Sequence, residues 1–128
     1  MPEKQVYEYA VIRLVPRVER EEFMNVGVIV FCKRRNFLQV KYRLDATRIA
    51  AFADDELDLD EIAAYLHTWE LIANADPAGG KIARLDAPER FRWLTAPRST
   101  IIQSSKVHVG RCEQPEAVLE DLFRKNVL

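Results

Sequence analysis

The run Val6 to Val15 constrains the fold most. Tyr7, Tyr9 and Val11 alternate with Val6, Ala10, Ile12 and Leu14, so both faces of the segment are largely apolar. A strand of that kind belongs in the middle of a sheet, because an edge or half-wet strand keeps a polar face. Pro16 ends it, since proline brings no amide hydrogen to a ladder. The charged connection 17–22 follows. Met24 to Lys33, rich in valine, reads as a second strand, and Asn36 suits a left-handed turn after it. Phe37 to Leu44 is a third strand with strict alternation. Leu38, Val40, Tyr42 and Leu44 share one face, and Gln39, Lys41 and Arg43 share a face that is expected to be wet.

The period then changes. Asp45 can cap a short helix to Ala53 with Ile49 and Phe52 inside. Asp54, Asp55 and Glu56 form an acidic link. Asp58, with Glu61 three residues on, starts a longer helix whose Leu59, Ile62, Ala63, Leu66, Trp69 and Ala73 make one buried stripe. Ala78-Gly79-Gly80 reads as a flexible loop. Pro88 opens a helical turn to Leu94, and Thr100 to Val109 returns to strand. Pro115 opens a last helix with Val118, Leu119, Leu122 and Phe123 inward. The pattern predicts one α+β domain over residues 1–128, with a mostly antiparallel sheet of about four strands and helices packed on one face.

The chain has 128 residues, enough apolar material for a core without staples. Its net charge of −1 creates no field that favours nucleic acid or an acidic membrane surface. No apolar run reaches the length of a membrane helix. Cys32 and Cys112 lie in no CxxC pair, and reduced thiols in the cytoplasm are the expectation. With His67 and His108 they make no zinc pattern. The acidic residues 54–61 lack the glycine and spacing of a calcium loop, so no metal is expected. There is no GxGxxG, P-loop or GxSxG, and no cofactor is expected.

The segment Pro97 to Gly110 holds more hydrogen-bonding groups than a strand needs in order to pack. Arg13, Arg17, Arg98, Ser99, Gln103, Ser104 and His108 form a candidate binding set, because guanidinium groups grip carboxylate or phosphate and hydroxyls and amides complete the shell. The bland account makes them edge polar groups, with Arg13 paired to Glu8 or Glu22. His108 has a suitable pKa for a general base but no partner in a named role. Simple strand parity puts Gln103 and His108 on opposite faces, which argues for a binding surface over an active site. Gly27 interrupts a strand and marks a bulge or a close backbone approach, either by another chain or ligand or by a helix or Trp93.

Two segments carry a resemblance. One is Arg13-Leu14-Val15-Pro16 with Glu22-Phe23-Met24-Asn25-Val26-Gly27-Val28. The other is Phe91-Arg92-Trp93-Leu94-Thr95-Ala96-Pro97-Arg98-Ser99-Thr100-Ile101-Ile102-Gln103 with Val107-His108 and Gly110. Together they resemble the bacterial family of domain of unknown function 3037, over nearly the whole chain. The resemblance implies no activity, cofactor or catalytic residue. It does imply a protein partner, since members are often encoded beside a HipA-like kinase. The expected function is therefore a cytosolic accessory or binding module. The rival is an enzyme or ligand-binding domain for a phosphorylated or nucleotide substrate, using Arg13, Arg98, Gln103 and His108. Convergence of those groups in a concave pocket favours the rival, and dispersal favours the module.

Overall fold

A computed structural model describes residues 3–53 and 57–128. The acidic link Asp54-Asp55-Glu56 lies outside the described residues. The chain builds β1 (Gln5–Leu14), β2 (Met24–Cys32), β3 (Phe37–Tyr42), α1 (Ala46–Phe52), α2 (Leu59–Ala73), α3 (Ala87–Thr95), β4 (Ile102–Ser104), β5 (His108–Cys112) and α4 (Pro115–Asn126).

The sheet is antiparallel in every pairing. Its order is β3-β2-β1, and the second edge of β1 is shared. β4 pairs the end of β1, at Ile12 to Leu14, and β5 pairs its start, at Gln5 to Tyr9. The central place expected of Val6–Val15 is thus confirmed, and the α+β class with it. The expected single strand from Thr100 to Val109 is instead two, and the sheet has five strands. The break falls at Ser105, which is buried. Its backbone N–H donates to Val11 O at 2.8 Å, and its Oγ accepts the Val11 N–H at 2.8 Å. The same hydroxyl donates to Lys106 O at 2.9 Å. A side chain thus stands in for a ladder carbonyl while the backbone turns away, as at a bulge.

Aspartates start α1, α2 and α3. Asp45 accepts from the N–H groups of Thr47 and Arg48, Asp58 from Glu61, and Asp86 from Glu89. Each satisfies amides that the first turn leaves unpaired. Asp76 does the same for the turn Pro77–Gly79. The segment read as a flexible loop is therefore a short 3-10 turn, and a Cβ on Gly79 would meet Ala83 and Ile72.

The main core lies on one face of the sheet. Ile12, Leu14, Ile29, Phe31, Leu38, Val40 and Ile102 meet Ile49 of α1, the α2 stripe, and Phe91 and Leu94 of α3. The stripe is Ile62, Leu66, Trp69, Ile72 and Ala73, with Leu59 partly covered. Phe52 is 38% exposed and does not join the core as expected. The helices do not all share this face. α4 lies on the other side, where Phe123 and Val127 pack on Val28 with Leu119 and Leu122. Lys41 is consequently half-covered, with its Nζ 4.8 Å from the centre of the Phe123 ring and 2.5 Å from a Glu120 oxygen.

One buried cation fastens the helical layer. Arg90 of α3 donates through Nε to Leu85 O at 2.9 Å, and through Nη1 to Ile72 O at 3.0 Å and Ala73 O at 2.7 Å. The last two carbonyls end α2, beyond the reach of the helix's own i+4 amides, where the helix dipole favours positive charge; Ile72 O also accepts the Ala75 N–H at 3.1 Å. Burial lowers the pKa of this guanidinium from its ordinary value, and Asp86 opposes the shift.

Candidate functional site

Every residue of the candidate set has a definite place, but the set does not meet at one point. Arg13 and Gln103 are directly opposed across β1 and β4, on the sheet face that carries α4. Arg13 also opposes Asn25 of β2, because a bulge shifts the register between Ile12 and Arg13. Ser99 joins Arg13 and Gln103 around a cavity of about 350 Å³, closed by Val15, Val18, Glu21 and Phe23.

The electrostatics of Arg13 are unusual. Its guanidinium carbon stands 4.0 Å from the centre of the Phe23 ring. Its Nε is buried and has no hydrogen-bond partner. Neither expected carboxylate serves it. Glu22 pairs with Arg20 at 2.5 Å, and Glu8 opposes Val109 on the other face of the sheet. Gln103 donates to Thr100 O at 2.8 Å, which anchors its amide at the cavity wall.

Arg98 goes elsewhere. Its guanidinium carbon lies 5.0 Å from the Trp69 ring and 4.5 Å from the Trp93 ring, and Nη2 donates to Trp93 O. Its charge is used within the chain, clamping the end of α3 against α2. Ser104 faces the Ile12 side of the sheet, and its hydroxyl donates to Ser105 O at 2.8 Å. Arg17 is exposed at the residue before the turn Val18–Arg20.

His108 opposes Tyr9, and their rings are 5.1 Å apart and tilted by 30°. Tyr9 and Arg13 are four residues apart on one strand, so they share a face. His108 and Gln103 therefore share that face too. Simple parity assigned them to opposite faces, and the Ser105 break overturns it: four steps along β1 face five along the partner segment. At about 3.3 Å per residue the two positions still stand roughly 13 Å apart. His108 lies outside the Arg13 cavity and has no acidic partner among the described residues.

The close approach at Gly27 comes from within the sheet. A Cβ there would lie 2.7 Å from Lys41 O, 2.9 Å from Tyr42 Cβ and 3.0 Å from Ile12 Cδ1. Neither a helix nor Trp93 is the neighbour. Gly110 has a similar role that the sequence reading missed, for a Cβ would lie 2.5 Å from the Tyr7 ring. Burial, with Tyr9 beside it, raises the Tyr7 pKa above the ordinary tyrosine value. Cys32 and Cys112 are buried, unlinked thiols. Cys32 Sγ donates to Gln5 Oε1 at 3.6 Å, and burial, with Cys32 nearby, raises the Cys112 pKa. Among the described residues no group of three or more His, Cys, Asp or Glu could hold a metal ion, and no helix is long and apolar enough to cross a membrane.

On the far side of the β1–β5 pair no helix covers the sheet among the described residues. Val6 is 54% and Val109 69% exposed, on the face opposite α4. Arg111 is exposed beside them, and the outer edge of β5 pairs with no strand among the described residues.

Residues 9–127 match the model of a family described as protein of unknown function (DUF3037). No curated protein and no solved structure matches the chain.

Proposed function

The chain belongs to the DUF3037 family, and from that membership we propose a small accessory module that acts by binding a protein partner. One observation carries the reading. β5 presents an edge that no strand pairs among the described residues, and the apolar side chains Val6 and Val109 stand exposed beside it. An open edge is a template for an added strand, and side-chain pockets beside it supply specificity. Exposed valines flanking such an edge gain from cover by an extended partner segment. The polar candidates support this reading by their dispersal. Arg98 is engaged internally and His108 stands away from Arg13, so no set in named catalytic roles assembles.

The partner class we propose is a HipA-like kinase, which rests on the family resemblance, and the compartment is the cytoplasm of a bacterium. Co-purification of the native chain, followed by mass spectrometry, tests both the class and the partner. A Val109→Asp variant then tests the surface. It is expected to keep the fold and lose the co-purifying protein. Retention of that protein at full yield by a folded Val109→Asp chain would refute the β5 surface.

A further inference from the structure

We propose that the Arg13 cavity is a receptor for a carboxylate carried on a small apolar body. The argument is independent of the β5 edge. An arginine has five in-plane N–H donors and no acceptor. Stacking on Phe23 covers one flat side of the guanidinium and leaves the plane free for hydrogen bonds. Yet no hydrogen bond or ion pair to Arg13 exists among the described residues, and Nε is buried without a partner. Such a donor is costly to leave unmet in a folded chain. The Arg13 side chain also lines the cavity, so an acceptor for its remaining N–H groups comes from a molecule that enters there.

The lining narrows the chemistry. One guanidinium fork matches a planar, singly charged carboxylate with two parallel bonds. Glu21 stands at the same wall, so a doubly charged phosphate would meet one cation and one anion. Val15, Val18 and Phe23 supply apolar contact for the rest of the ligand, while Ser99 and Gln103 offer polar groups at the mouth. A volume of about 350 Å³ admits a small branched acid or the last residue of a peptide. Glu21 itself is held at φ 59°, a left-handed conformation that is strained for a residue with a Cβ. It is the kind of local cost that accompanies a binding wall.

The test is a two-dimensional NMR titration of the whole chain. It follows the Arg13 Nε–H and the backbone amides of Phe23 and Gln103. The probes are isovalerate, isovaleramide, inorganic phosphate, and a short peptide ending in leucine with either a free or an amidated carboxyl. Saturable shifts are expected with isovalerate or with the free-carboxyl peptide, and none with the two amides. The tighter of the two carboxylates identifies the source as a free acid or a chain terminus. Arg13→Met, and Arg13→Lys as a variant that keeps the charge and more of the fold, should each weaken binding by about tenfold or more, through loss of the fork. Absence of saturation with both carboxylates, equal binding of an amide, tighter binding of phosphate, or unchanged affinity in a folded Arg13→Lys chain would each overturn the assignment.

Discussion

The Ser105 hydroxyl serves Val11 as a backbone carbonyl would, accepting its N–H at 2.8 Å across 94 residues of chain. This one substitution of side chain for main chain lets two short strands share the edge of β1. Ser105→Ala leaves the Val11 amide without that acceptor. The expected loss is about 1–3 kcal/mol in chemical denaturation, the cost of a buried, unmet donor. A loss within error of zero would show that the break is held by something else.

Arg90 supplies a second test. Arg90→Met removes three charge-assisted bonds to carbonyls, two of them at the end of α2. A loss of roughly 3 kcal/mol is expected. Arg90→Lys should recover only part of it, because a single ammonium cannot reproduce the fork. Full recovery by lysine would mean that charge alone matters there.

Ala75 follows α2 at φ 57°, with its N–H donating to Ile72 O. Glycine is the residue that takes this position without strain. Relief of the left-handed cost outweighs the added freedom of the unfolded chain, so Ala75→Gly should raise stability by about 0.5–1 kcal/mol. A lower melting temperature in the variant would contradict this.

Leu66 is fully buried in the α2 stripe. Leu66→Ala is expected to cost about 2–5 kcal/mol, as a large-to-small change at a packed site. A loss below roughly half a kcal/mol would mean that α2 contributes little to the core.

Stability should fall in alkali. Burial first, then Tyr9, raises the Tyr7 pKa above 10.0, and burial first, then Glu70, raises that of Tyr42. The folded chain thus holds these phenolic protons more tightly than the unfolded one. Their contribution is fully present below about pH 10 and is lost as pH rises through the folded values. Thermal melts at increasing pH should show the decline, and Tyr7→Phe should blunt it. Identical alkaline profiles for the two proteins would exclude Tyr7.

The readable parts of this fold were those governed by local rules. Asp45 and Asp58 announced helix starts because capping is a contact between near neighbours. The two apolar faces of β1 announced a central strand, and the spacing of Ile62, Leu66 and Trp69 gave the buried side of α2. What stayed hidden depends on distant partners. The inward faces of Leu119 and Phe123 were legible, but periodicity carries nothing about which side of a sheet a helix covers. The role of Arg90 leaves no mark in the sequence, since two of its partners are carbonyls of another helix. Ser105 gave only a faint signal, a polar interruption in an apolar run. Of the candidate set, Arg13, Ser99 and Gln103 line one cavity. Arg98 lies apart from them, and its stacking on Trp69 and Trp93 requires the α2–α3 packing to exist first.

The shared edge of β1 also sets a timetable. β1, β2 and β3 follow one another in the chain and can pair as soon as they exist, but the other edge of β1 must wait for residues 102–112. Contacts across so many residues form slowly, because a long loop has to close before they repay its entropy. During synthesis the central strand of the sheet therefore spends the longest time half-zipped, an open seam on which newly made chains can catch one another.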